Sequence, residues 1–389
     1  MNYIGSKFSL LPEIRGMLAE KGLKGGVFCD LFSGSTVVSQ MAKGLGFSLI
    51  SNDLQTYSAV FGRAFVASEG YPDFSRLREE VPEIEKTFLR IEGKELWIGD
   101  ERQRIQTFGL GTFSDESLLE GKELLLVLIF LDRLAPREGR FFQAYCEGGT
   151  AGRSYFSREN GQRCEAIRAT IEDWKNRGWL AISEHALLLA SLIESMDLLA
   201  NTASVYGAYL KKLKTSARQA LRLRFPLLPR GKGGRVLQGD SNQIIRQLAQ
   251  EGRFDVLYLD PPYNRRQYHS NYHILETLAC WDLDKFEPAG KTGLRPVESR
   301  RSDYCLKRGA AKAFADLIEA ANFRHLLVSY NNEGIVPEEE IKEILLRKGG
   351  KADFRKIPYR RFRADQDSAE RNYRGDQVEE FLFYIDRNK

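Results

Sequence analysis

The sequence has no apolar run long enough to cross a bilayer. Its longest, Leu124–Leu131, falls well short of the roughly 20 residues that a spanning helix needs. The opening residues, M-N-Y-I-G-S-K-F, have no long apolar stretch followed by small residues, so a secretory leader is not expected. No C-x-x-C pair occurs. The five cysteines (Cys29, Cys146, Cys164, Cys280, Cys305) are odd in number and scattered, which argues against a disulfide framework or a cysteine zinc site and fits a reducing, cytoplasmic setting. His269 and His273 have the spacing of metal ligands on a helix, but no acid stands beside them in an H-E-x-x-H frame, and no metal is expected. Ser33 and Ser35 have no evident His partner for nucleophilic catalysis. There is no internal repeat.

What is present suits a packed enzyme. The chain has 389 residues, 42% hydrophobic and 29% charged, enough for one large domain or two ordinary ones and too apolar for wholesale disorder. A formal net charge of +5 is compatible with a polyanionic partner without requiring one.

The chain divides into three parts. V-F-C-D-L (27–31), then a helical segment from Thr36 to Gly46, then F-S-L-I-S-N-D (47–53) reads as a β-α-β unit. From about 61 to 234 the pattern is mostly helical, strongest at Glu123–Leu134 and Glu184–Ala200, with an extended loop expected between them from Arg137. That part closes on a basic stretch from Lys211 to Arg235, punctuated by Gly and Pro. Strand–helix alternation then resumes: R-V-L-Q-G-D (235–240), a helix for which Ser241 is a plausible N-cap, F-D-V-L-Y-L-D (254–260), H-L-L-V-S-Y (325–330), a helix opening at Pro337, and two final strands. Alternation of this kind predicts a mostly parallel α/β sheet. The first and third parts (1–60 and 235–389) would share it, and 61–234 would be a mostly helical inserted lobe.

Ligands of such sheets collect at the carboxyl ends of the strands. Four predicted strands end there in acids: Asp30, Asp53, Asp240 and Asp260. Taken singly, each reads as a helix cap or turn residue; four at corresponding ends point to a site. The turn D-L-F-S-G-S-T carries Gly34 but is not G-x-G-x-x-G, so a pyrophosphate cradle is less expected than a looser turn around a nucleoside or amino acid. Asp53 stands where carboxylates commonly take ribose hydroxyls.

The stretch D-P-P-Y-N (260–264) ends a buried strand on a carboxylate and two residues without a backbone donor. Asp260 and the Pro261 carbonyl can converge as acceptors on one amino group, and Tyr263 offers a flat face to a planar ring. The stretch therefore looks like a cup for an aromatic amine.

These motifs together resemble the Dam-like, alpha-group DNA adenine-N6 methyltransferases of restriction-modification systems. D-P-P-Y (Asp260, Pro261, Pro262, Tyr263) is similar to their catalytic motif. D-L-F-S-G-S (Asp30, Phe32, Ser33, Gly34, Ser35) is similar to the methyl-donor motif, and N-Y-I-G-S-K (Tyr3, Ile4, Gly5, Ser6, Lys7) to the segment that closes over the donor's methionine end. N-D-L (Asp53, Leu54) resembles the ribose-binding motif and G-D-S (Asp240, Ser241) the adenine-contacting one. The family often has a further glycine where Thr36 stands. The resemblance implies a Rossmann-like, S-adenosylmethionine-dependent fold with an inserted target-recognition lobe, and double-stranded DNA as partner with a cognate restriction endonuclease acting separately. It also implies that a flipped-out adenine stacks on Tyr263, and makes Lys7 a candidate partner of the donor's carboxylate. Arg265, Arg266, Tyr268 and Tyr272 follow the cup and are candidates for the flipped nucleotide's backbone; Lys211, Lys212 and Lys214 are candidates for phosphates. The segments 137–145 and 290–304, and the basic-aromatic patches 359–363 and 371–374, have the composition of base or backbone readers. Two alternatives stay open: a methyltransferase acting on an RNA base amine or on cytosine N4, and a catalytically silent nucleic-acid-binding protein. Target sequence and oligomeric state are not legible.

Overall fold

The computed structural model describes residues 6–86, 89–92, 95–98, 101–104, 120–296, 301–360 and 377–388. A short 3-10 turn, Lys7–Leu10, leads into α1 (Leu11–Glu20). Then come β1 (Val27–Asp30), α2 (Val37–Gly44), β2 (Ser48–Asp53) and α3 (Thr56–Phe61), which runs on into a π turn at Gly62–Val66. The central stretch holds α4 (Ser75–Glu80), the strands β3 (Leu89–Glu92), β4 (Glu95–Ile98) and β5 (Glu101–Arg104), and α5 (Lys122–Asp132). It continues with α6 (Arg140–Tyr145), α7 (Arg158–Asn176) and α8 (Ile182–Leu198). The last stretch is β6 (Arg235–Gln238), α9 (Ser241–Glu251), β7 (Phe254–Leu259), α10 (Tyr268–Asn271), α11 (His273–Cys280), α12 (Ala310–Ala320), β8 (Phe323–Asn331), α13 (Glu338–Arg347), β9 (Lys351–Arg360) and β10 (Gln377–Asp386).

Seven strands form one sheet in the order β6-β2-β1-β7-β8-β10-β9. The first five run parallel; β10 is antiparallel to both β8 and β9. The fold is therefore α/β and Rossmann-like, closed at one edge by an antiparallel hairpin. Its central strands read as unbroken apolar runs because both of their faces are covered. Phe28, Val256 and Tyr258 point to one face, where they meet Ile14 and Met17 of α1 and Ala42 of α2. Cys29, Leu257 and Leu259 point to the other, against Ile245 of α9, Phe314 of α12 and Ile344 of α13.

A third apolar core fills the stretch between β2 and β6. It takes Leu187, Leu188 and Leu192 from α8, Ile167 and Ile171 from α7, and Val127 and Leu131 from α5. It also draws in Tyr57 and Val60 of α3 and Ile274, Leu275 and Leu278 of α11. The buried Glu276 carboxylate fastens α11 to α3 by accepting from the first backbone donors of that helix, Thr56 N (2.9 Å) and Tyr57 N (3.2 Å). Arg168 is fully buried on the same core. It donates to the Leu278 carbonyl (2.7 Å) at the end of α11, pairs with Glu172 (2.8 Å) and lies over Trp281.

Several details depart from the sequence expectation. The extended loop predicted from Arg137 contains α6, because Phe141, Phe142 and Tyr145 are all drawn fully into the core. The N-cap of α9 is Asp240, not Ser241: the Asp240 carboxylate accepts from Gln243 N at 3.1 Å, while the Ser241 hydroxyl donates to the Leu31 carbonyl. The mostly helical stretch also carries a small antiparallel sheet, β3-β4-β5. The basic stretch after Lys211 has only a single 3-10 turn, Ser216–Arg218, up to β6.

Candidate active site

The carboxyl ends of β1, β2, β6 and β7 surround a cavity that opens to solvent. Sheet register explains the convergence. Asp30 pairs with Ser51 on one side and Tyr258 on the other, and Asp53 pairs with Gln238. Each chain leaves the sheet at about the same height, so the acids that end the strands meet across the cavity. The Asn52 amide fixes the rim by donating to the carbonyls of Leu31 (3.1 Å) and Gly239 (3.2 Å).

The turn after β1 forms one wall. Gly34 has φ +49°, and its N–H donates to Asp53 Oδ2 at 2.8 Å; Gln55 N donates to Asp53 Oδ1, also at 2.8 Å. Burial raises the Asp53 pKa, against the backbone N–H groups of Gln55, Gly34 and Leu54 and the Ser58 side chain, which lower it. Thr36, where the family often has glycine, is fully buried in the left-handed region at φ 63°, ψ 9° and opens α2. Its hydroxyl accepts from the Gln40 amide at 2.9 Å, which holds a β-branched residue in a conformation it rarely adopts. Asp30 is almost wholly buried. One oxygen accepts from the Ser39 hydroxyl (2.6 Å); the other, Oδ1, has no partner among the described residues. Burial pushes this carboxyl up to about 7. The Ser39 bond opposes that rise, and the charges of Asp260 and Asp53 add to it.

The opposite wall carries Asp260 and Pro262. Lys7 Nζ lies 3.3 Å from Asp260 Oδ1 and 3.0 Å from Glu380 Oε2, and 5.3 Å from the centre of the Tyr263 ring. Burial disfavours the Lys7 charge, but Asp260 and Glu380 more than offset it and raise its pKa. Burial pushes Asp260 up to about 7, with Lys7 acting against that rise and Glu380 adding to it. Glu380 in turn accepts from the Asn331 amide at 2.9 Å.

Most of the sequence-predicted residues gather here. Ser6, Lys7, Asp30, Phe32, Ser33, Gly34 and Ser35 line the cavity, as do Asp53, Leu54, Asp240, Ser241, Asp260 and Pro262. Tyr3, Ile4 and Gly5 lie outside the described residues, as do 361–363, 371–374 and 297–300 of the proposed reading segments. Pro261 is buried and, like Tyr263, sits outside the cavity lining; the Tyr263 ring packs edge-on against Tyr330, with centroids 6.1 Å apart. The Lys7 ammonium, on the cavity wall, is held between two carboxylates. Two expectations need correction. Tyr272 is fully buried against Tyr57 and Tyr268, which removes it from contact with a nucleotide. Phe141, Phe142 and Tyr145 in the 137–145 segment are likewise core. Tyr268 lines the cavity itself. Arg265, Arg266, Lys211 and Lys212 are exposed; Lys214 is half-buried and donates to the Thr202 carbonyl at 3.0 Å.

The sequence reading missed Gln55, Tyr258 and Gln267 on the cavity wall, and Glu380 and Asn331 behind it; Ser302 and Tyr304, which it placed in a base- or backbone-reading segment, also line the cavity. Gln267 and Ser302 exchange two hydrogen bonds (3.1 and 2.8 Å) and close the rim, a pairing that no local pattern announces. Among the described residues no cluster of His, Cys, Asp and Glu could hold a metal ion, and no helix is long and apolar enough to cross a membrane.

Comparison with known proteins agrees with this geometry. A family profile described as D12 class N6 adenine-specific DNA methyltransferase matches residues 3–344. The chain is 38% identical to the type II methyltransferase M.NlaIII of Neisseria lactamica over 391 residues, covering 100% of this chain and 99% of that protein. It is 34% identical to the type II methyltransferase M.FokI of Planomicrobium okeanokoites and 33% identical to the modification methylase StsI of Streptococcus sanguinis. Here the whole chain aligns with about half of each relative, 53% and 52%. No solved structure matches. With its acids assembled at the strand ends and Asp260 and Pro262 of the D-P-P-Y turn on the cavity wall, this chain belongs to the D12 class of N6 adenine-specific DNA methyltransferases.

Proposed function

We propose that the protein transfers a methyl group from S-adenosylmethionine to the N6 amino group of an adenine flipped out of duplex DNA, as the modification enzyme of a restriction-modification system. The observation that carries this reading is the arrangement of Asp30, Asp53, Asp240 and Asp260 around one cavity, with Asp260 opening the D-P-P-Y turn. When bound, the donor supplies a methyl group on a sulfonium: the carbon–sulfur bond breaks, a carbon–nitrogen bond forms, and the amine gives up one proton.

The residues present fit such a donor. Asp53 accepts from its ribose hydroxyls, and Asp240 with Ser241 meets its adenine. The unpartnered Asp30 oxygen accepts from its ammonium group. A cavity rich in carboxylates favours a cationic ligand over an anionic one. Adenine's amino nitrogen is a poor nucleophile because its lone pair is delocalised into the ring. Acceptors at Asp260 and the Pro261 carbonyl localise that lone pair, and alignment with a pre-set electrostatic environment supplies most of the acceleration. Tyr263 stacks on the extruded base. The 61–234 lobe is the target-recognition region; the exposed Lys211, Lys212, Arg265 and Arg266 contact the DNA backbone, with the salt dependence that phosphate contacts impose.

The test is single-molecule methylation sequencing of DNA from a methylation-free host, incubated with the protein and S-adenosylmethionine. N6-methyladenine confined to one short motif is expected. N4-methylcytosine, or unmodified DNA despite demonstrated donor binding, would overturn the reading in favour of another base or of RNA.

A further inference from the structure

Glu380 lies on β10, at the far end of the chain from every motif of the site, and is 3% exposed. A carboxylate buried that deeply costs several kcal/mol unless it is paired and hydrogen-bonded. Both conditions hold: Oε2 takes Lys7 Nζ at 3.0 Å and Oε1 takes the Asn331 amide at 2.9 Å. The same ammonium lies 3.3 Å from Asp260 Oδ1. One buried cation is therefore divided between two carboxylates, with the shorter contact to Glu380. Asp260 lines the cavity and Glu380 does not.

We propose that Glu380, oriented by Asn331, is a positioning residue for methyl transfer: it draws the Lys7 ammonium off Asp260, so that the Asp260 carboxylate stays available as an acceptor for the substrate amine. The inference rests on the reading of Asp260 as that acceptor. A carboxylate bound to an ammonium of its own is partly satisfied and accepts a second donor weakly. With Glu380 neutral, Lys7 has one anionic partner left and closes on it. Sharing the cation also leaves the cluster with one more negative charge than positive, which suits a cationic methyl donor.

The charged and titratable groups around Asp260 are few and come from separate elements. Lys7 comes from the turn before α1, Asp30 from β1, Tyr258 from β7, Tyr263 from the D-P-P-Y turn and Glu380 from β10. The Glu380 charge raises the Asp260 pKa. Neutralising Glu380 therefore moves the ionisation of Asp260 to lower pH while weakening it as an acceptor.

The experiment is a single-turnover methylation rate across pH, with donor affinity and thermal melting measured on the same samples, for the wild type, Glu380→Gln, Glu380→Asp and Asp260→Ala. Glu380→Gln keeps the shape and the acceptor oxygen but loses the charge. Its rate is expected to fall at least tenfold, with donor affinity within about twofold and the acidic limb of the profile displaced to lower pH. Glu380→Asp keeps the charge, and its acidic limb is expected to stay at the wild-type position even where the rate drops. An unchanged rate and limb in Glu380→Gln overturns the inference, as does a loss confined to melting temperature or donor affinity. Asp260→Ala separates the two levels of the argument: if it still turns over, the acceptor reading itself is wrong.

Discussion

Replacing Asp30 by Asn removes a carboxyl group that the fold holds at about 7, against an ordinary 3.8. Burial is the main cause, and the residue is only 1% exposed. The sign follows from linkage. A raised folded-state pKa means that the folded protein binds this proton more tightly than the unfolded chain. The stability contributed by the group is complete below about pH 4 and is lost as pH rises to about 7. At about 1.4 kcal/mol per pH unit, the loss by pH 8 is about 4 kcal/mol. Asn avoids it, because a neutral amide has no charge to desolvate. Asn still accepts from the Ser39 hydroxyl. Asp30→Asn should therefore be about 4 kcal/mol more stable than the wild type at pH 8 and within about 1 kcal/mol of it at pH 4.5. Urea unfolding of both proteins at the two pH values measures the difference directly. The same substitution should weaken S-adenosylmethionine binding at pH 8, since Asp30 Oδ1 is the acceptor proposed for the donor's ammonium. A stability difference that is the same at both pH values would refute the argument, because only a titrating Asp30 makes it depend on pH.

Three other perturbations test other parts of the structure. Thr36→Gly removes a β-branched residue from the left-handed region; relief of that strain, less the extra freedom glycine gains when unfolded, should raise stability by about 1 kcal/mol in urea unfolding, and a destabilised variant would show that the Gln40 bond matters more. Tyr263→Phe should keep most methylation activity, whereas Tyr263→Ala should lose it, since the ring is proposed to stack on the base and flanks Lys7; equal losses in steady-state kinetics would point to the hydroxyl instead. Lys211→Ala with Lys212→Ala should lower the slope of log affinity against log salt by about 2, and an unchanged slope in filter-binding titrations would remove this stretch from the DNA interface.

The parts of the fold legible in the sequence are those where a local pattern and the tertiary environment agree. β1 and β7 are buried on both faces, so they read as apolar runs, and the acid ending each is conspicuous against that background. α8 is legible for the same reason, as every residue from Ala186 to Ile193 is buried. α6 is not. Six residues among glycines and arginines carry no periodicity, and only the tertiary core turns Phe141, Phe142 and Tyr145 from loop aromatics into packing residues. The cap of α9 was misread by one position because Asp240 and Ser241 are both good caps, and the choice depends on Ser241 being needed by the Leu31 carbonyl.

The acids of the cavity wall were legible because each stands at the end of a predicted strand, as Asp30, Asp53, Asp240 and Asp260 do. The support behind Asp260 was not, since it is assembled from residues brought together only when β10 inserts between β8 and β9. Yet the strand itself holds a trace of it. In E-E-F-L-F-Y-I, the period of two places Glu380 on the same face as Leu382 and Tyr384, which pack into the apolar core shared with α1. An acid on a face otherwise committed to burial needs a buried cation, and Lys7, at the other end of the chain beside a helix that covers that same face, is the cation it meets. The turn before α1 and the strand at the far end of the sequence thus meet at Asp260, and any change that shifts β10 relative to β8 should be felt in the chemistry before it is felt in donor binding.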